Sequence, residues 1–249
     1  ALESVDGAHI TGVAISNITM VNVRCPIFLR LGNRGRAQVV PTAGSLENVS
    51  ISNIVATGAS VPCIVAGIPG DYIRHVNIAD VIVEYQAPRE ADKDSRNFQP
   101  AENALQVPEA EDRYPEASMF GLLPIWGFYG RHAKDLTLRN LHFRISPPDT
   151  RAGLVLDDVQ AVVVDGMALN EITLGNSGEL GEMTRDPAIL CNDVADAAIQ
   201  GCRITYPTSP IIRVTGSATR SIQFLNNSIV PRPEVDTDAS IPPGEIVFK

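Results

Sequence analysis

Three arginines, Arg30, Arg34 and Arg36, surround a turn that carries Gly32 and Gly35. A guanidinium presents paired N–H donors in a fixed plane, so three of them around one turn suit a carboxylate or a polyol. The plain alternative is a solvated basic turn paired with surface acids. Glu3 and Asp6 lie upstream in the chain and can hydrogen-bond hydroxyl groups, or simply form an acidic turn before a strand. A third group, Tyr114, Glu116, Trp126 and Tyr129, stands in and just after a long irregular stretch. Its rings can stack on flat hydroxyl-rich faces, and its loop can wall a cleft; Trp126 and Tyr129 can equally pack inside. Asp157-Asp158 superficially resembles a catalytic acid pair, and His132 a ligand or acid. Both sit where Asn192-Asp193 sits in an equivalent segment, which reads as a repeated polar turn.

The elements that position these residues follow from composition and period. Of 249 residues, 44% are hydrophobic but only 5% aromatic, which favours many short strands packed through Val and Ile. No apolar run reaches the roughly 18 residues of a membrane helix. A net charge of −9 argues against general nucleic-acid binding. Cys25, Cys63, Cys191 and Cys202 form no CxxC pair; Cys191 and Cys202 could bridge, but buried thiols are the simpler reading. No Cys/His spacing suggests zinc and no convergent carboxylates suggest calcium, so neither metal nor other cofactor is expected.

One pattern recurs: apolar, any, apolar, any, Asn/Asp/Gly, usually apolar, any, apolar. It starts at Val13, Val49, Val76, Leu136, Val162, Ala197 and Ile222, at intervals of 25 to 36 residues with one gap of 60. Alternation places apolar side chains on one strand face. At Asn17, Asn53, Asp80, Asn140, Gly166, Gly201 and Asn226 the alternation slips by one, at residue types that tolerate left-handed backbone. Two strands joined by such a bend make a solenoid corner. Short apolar runs at Ile27-Phe28-Leu29, Cys63-Ile64-Val65, Gly127-Phe128-Tyr129, Gly153-Leu154-Val155, Ala188-Ile189-Leu190 and Ile211-Ile212-Arg213 supply a third face. The expectation is an all-β, right-handed parallel β-helix of about seven coils, the seven repeat-starting residues stacked in one inward column. A leucine-rich repeat is the competitor, but no LxxLxL run or helical half is present.

The chain then reads as one domain, 1–249. Residues 85–125 are a long loop insertion expected to border a ligand cleft. Residues 231–249 form a C-terminal tail whose Ile246-Val247-Phe248 can dock on the last coil. Because the pattern begins at Val13 without a capping segment, further N-terminal coils are expected before Ala1.

The strings Ala1-Leu2-Glu3-Ser4-Val5-Asp6-Gly7, Val13 to Met20, Pro26-Ile27-Phe28-Leu29-Arg30-Leu31-Gly32-Asn33-Arg34, Gly67-Ile68-Pro69-Gly70, Tyr114-Pro115-Glu116 with Met119-Phe120-Gly121, and Leu154 to Val159 carry a resemblance. Together they resemble the C-terminal portion of the polygalacturonase-like pectinases, glycoside hydrolase family 28, in their bacterial branch. The resemblance runs from Ala1 to about Val194. It implies a secreted or periplasmic inverting glycosidase of plant cell-wall (pectic or other acidic) polysaccharide, with no nucleic-acid or membrane partner. The aspartate motifs and the GHG motif of the family are absent and would precede Ala1, so no catalytic residue is assigned and the chain alone is expected to be inactive. The RIK motif matches Arg30-Leu31-Gly32, with Gly32 in place of lysine. The expected sugar contacts are Arg30, Arg34, Arg36, Glu3, Asp6, Tyr114, Glu116 and Tyr129. The alternatives are a non-catalytic carbohydrate-binding β-helix, or a polysaccharide lyase or adhesin on the same scaffold.

Overall fold

The computed structural model describes residues 1–88, 104–147, 149–172, 186–205, 208, 210–230 and 235–249. It is all-β: the described residues contain seventeen strands, two short 3₁₀ turns and no α-helix. Every strand ladder in the sheet is parallel. Residues 89–103, within the predicted insertion, and Pro231-Arg232-Pro233 lie outside the described residues.

The strands align in three ladders. The first joins β1 (Leu2–Ser4), β3 (Phe28–Leu31), β5 (Cys63–Ala66), the start of β7 (Ile125–Ser146), the start of β8 (Ala152–Asp165), β10 (Ile189–Asn192), β13 (Ile212–Thr215) and β16 (Val235–Thr237). The second joins β2 (His9–Val21), β4 (Ser45–Ala59), β6 (Ile73–Gln86), β7, β8, β11 (Ala195–Gln200), β14 (Arg220–Leu225) and β17 (Ile246–Phe248). The third uses the later parts of β2, β4, β6 and β7, then β9 (Ala168–Glu171), β12 (Arg203–Ile204) and β15 (Ser228–Ile229).

Val13, Val49, Val76, Leu136, Val162, Ala197 and Ile222 are successive register partners in the second ladder, and Ile246 extends the column. Val49, Val76, Leu136, Val162, Ala197 and Ile222 are buried in one apolar core, and Val13 and Ile246 are half-buried against it. The bend residues Asn17, Asn53, Asp80, Asn140, Gly166, Gly201 and Asn226 all have positive φ, between 52° and 68°. A second bend precedes each column residue, at Gly12, Asn48, His75, Asp135, Ala161, Asp196 and Ser221, again with positive φ. Its residue types share no signature, so the repeat pattern did not reveal it. The tail is more regular than its proline content suggests, since β16 and β17 add further parallel partners to β13 and β14.

Candidate functional site

The first ladder has an apolar core on each side. Leu29, Leu31, Val65, Phe128, Leu154 and Leu156 face the main core. Phe28, Ile64, Tyr129 and Val155 face a second one, completed by Val107, Met119, Phe120 and Leu123 from the segment that precedes β7. The described part of the insertion is therefore laid across the outer face of β3, β5, β7 and β8. Phe28 faces outward with Arg30, while Ile27 and Leu29 face the main core, as alternation requires. Tyr129 was read as a sugar contact; it is fully buried beside Phe120, its hydroxyl without a hydrogen-bond partner among the described residues. Trp126 packs in the main core against Tyr85.

Arg30 is likewise buried. Its Nη1 donates to Gly67 O at 2.8 Å, and its Nη2 to Glu109 O at 2.8 Å and Ala110 O at 3.0 Å. Its guanidinium lies 5.3 Å from the Phe120 ring centre. Burial lowers its pKa to about 10. These contacts occupy both Nη groups and the remaining Nε is itself buried, so Arg30 does not converge with Arg34 and Arg36 on one anion. It binds the covering segment to the sheet instead. Gly32 has a matching role, because a Cβ there would stand 2.9 Å from Glu111 O. The next residue, Asn33, donates its backbone N–H to that oxygen at 2.8 Å. A lysine at position 32 is incompatible with this close backbone approach.

The covering segment is fastened further along. Arg131, two residues beyond Tyr129, pairs with the Glu109 carboxylate and donates to Val107 O at 2.7 Å. Its Nε lies 3.0 Å from Asp157 Oδ2, an ion pair whose N–H is not aligned on the oxygen. His132 has both ring nitrogens against carboxylates, Nδ1 at 2.7 Å from Asp158 and Nε2 at 3.0 Å from Glu109. Ionised carboxylates only accept, so this geometry favours the ring with both protons. Burial opposes that charge, but the hydrogen bonds to the two acids outweigh it and raise the His132 pKa. Tyr72 donates to the same Asp158 oxygen at 2.6 Å. Asn192 donates to Asp157 at 2.8 Å and accepts from Thr215 at 3.0 Å. His132, Asp158 and Asp193 all have positive φ, which is the geometry of a repeated turn. No group of three or more His, Cys, Asp or Glu among the described residues is arranged to hold a metal.

Three of the predicted contacts, Asp6, Arg34 and Tyr114, meet at the β1 margin of the covering segment, and Arg36 joins them through its backbone. Arg34 pairs with Asp6 through both Nε, at 3.0 Å, and Nη2, and Asp6 also accepts the Arg36 backbone N–H at 2.8 Å. The Arg34 hydrogen bond holds the Asp6 pKa down at about 2. The Arg34 guanidinium stacks 5.4 Å from the ring centre of Tyr114, which is 67% exposed. Glu3 is half-buried, and partial burial raises its pKa, with the Glu116 charge adding to the rise. Arg36 is exposed at the rim. The patch thus offers an open aromatic face, a guanidinium edge and carboxylate acceptors, which is chemistry suited to hydroxyl-bearing rings.

No protein-family model, curated protein or solved structure gives a significant match to this chain.

Proposed function

We propose that the three ladders are the faces of a right-handed parallel β-helix of about seven coils. On that scaffold the chain is a saccharide-binding portion of a polygalacturonase-like, inverting glycoside hydrolase of pectic polysaccharide, acting outside the cell or in the periplasm. The observation that carries the site is the meeting of Tyr114 with Arg34 and Asp6, segments far apart in sequence, on one open patch. The motif resemblance supports the choice of polymer. The ion pairing within the patch supports recognition of hydroxyls over capture of a bare anion, since Asp6 already neutralises Arg34. Inversion needs a protonated acid opposite a carboxylate base. Partial burial raises the Glu3 pKa, but among the described residues no carboxylate faces it across a space for a scissile bond, so no acid–base pair is assigned. The reading is therefore binding without turnover by residues 1–249.

Calorimetry with galacturonate oligomers tests it, with neutral xylan oligomers for comparison. Binding is expected, and Tyr114→Ala should weaken it about tenfold, the worth of one exposed stacking contact. Unchanged affinity in that variant removes the patch from the site. Hydrolysis that Glu3→Gln abolishes would make the chain an enzyme in its own right.

A further inference from the structure

The outer face of the first ladder carries a straight row of side chains that leads away from the patch, and a polymer held at the patch by its interior would need that row as a bed. That row runs Glu3, Arg30, Ala66, Arg131, Asp157, Asn192 through register partners. Its middle is closed. Arg30 and Ala66 are buried, Asp157 is 7% exposed, and apolar side chains of the covering segment fill the space above their neighbours. Only the β1 end opens onto the patch of Asp6, Arg34 and Tyr114.

The covering segment is also fixed in place. Arg30 and Arg131 donate to the carbonyls of Val107, Glu109 and Ala110. The Glu109 side chain is held by Arg131 and His132. Phe120 and Met119 are buried in the second core, and Gly32 admits the Glu111 backbone at a distance no larger residue allows. Lifting the segment would strand buried guanidiniums and expose that core, and a surface saccharide contact is too weak to drive such a change.

We infer that residues 104–123 form a permanent wall across the polymer bed, so that the patch accepts the terminus of a saccharide chain and not its interior. This rests on the saccharide reading above and adds which part of the polymer is recognised. A chain entering from the β1 side meets the wall where Tyr114 stands against Arg34. An interior segment would have to continue through the space that Val107, Phe120 and Leu123 occupy.

Counting sites distinguishes the two cases. Galacturonate hexamer, dodecamer and long polygalacturonate are titrated against the purified chain, with concentrations expressed per saccharide chain. Terminus recognition gives the same dissociation constant for all three. Interior recognition gives an affinity that rises with chain length in proportion to the number of overlapping sites, and that result overturns the inference while leaving saccharide binding intact. A second arm modifies the hexamer at one end at a time, by borohydride reduction or by a 4,5-unsaturated sugar at the other end. One modification should lower affinity and the other should not; indifference to both also overturns it. Absence of binding to every ligand removes the saccharide reading, and this inference with it.

Discussion

Arg30 shows how a residue can match a motif and serve another purpose. The resemblance assigns it to ligand, but in the structure it is surrounded by backbone carbonyls. Replacing it with Ala leaves several buried acceptors unpaired, each costing more than a hydrogen bond is worth when made. Arg30→Ala should therefore lower stability by about 3 kcal/mol, a large effect for one substitution. It should leave the affinity of the remaining folded fraction unchanged. Denaturant melts and calorimetry on the same sample check this; loss of affinity without loss of stability would return Arg30 to the ligand. Alternation in β3 makes Arg30 face outward, but what covers that face comes from about 80 residues downstream, beyond any local pattern.

At the scale of the element, the covering segment has few backbone ties of its own and depends on what holds it. Its polar fastening centres on Glu109, between Arg131 and His132, with Asp158 and Tyr72 on the other side of the imidazole. Because the His132 pKa is raised on folding, its contribution is complete below the unfolded value of about 6.5 and fades as pH rises through the higher folded value. Glu109, with its pKa lowered despite burial, acts in the opposite sense, and its contribution fades only as pH falls through that low value. The segment should thus be held most firmly in mildly acidic solution. Hydrogen exchange of residues 104–123 should quicken as pH is raised past neutrality, after correction for intrinsic rates. His132→Gln should remove that dependence. A pH-independent protection factor in the parent protein would exclude His132 as a fastener. The sequence marked this stretch as an insertion near a site, from its length and its Tyr114-Pro115-Glu116 string. It did not show that Met119 and Phe120 build a second core, because the apolar partners are split between the insertion and five strands.

For the whole molecule, parallel ladders make each course of strands depend mainly on the courses beside it. β7 and β8 lie at the centre of the ladders and contribute fully buried core residues such as Leu136, Leu138, Val162 and Val164. The last course is thinner: β17 contributes Phe248, stacked 4.8 Å from Phe224 but 46% exposed. Phe248→Ala should cost about 1 kcal/mol, less than a core phenylalanine because much of the ring is already in water. The loss should appear in hydrogen exchange as faster opening of β14 and β17, with β7 and β8 unaffected; uniform acceleration would mean that the courses open as one unit. The sequence by itself determined the repeat. The spacing from Val13 to Ile222, with Asn, Asp or Gly at each main bend, names residues that became register partners and positive-φ corners, because strand alternation and left-handed tolerance are properties of a few neighbouring residues. It also singled out Asp6, Arg34 and Tyr114, each in a separate group. Tertiary structure alone decided that these three meet while Arg30 and Tyr129 are buried. That outcome depends on where one long segment lies across the sheet, and so on packing between residues that no local period connects.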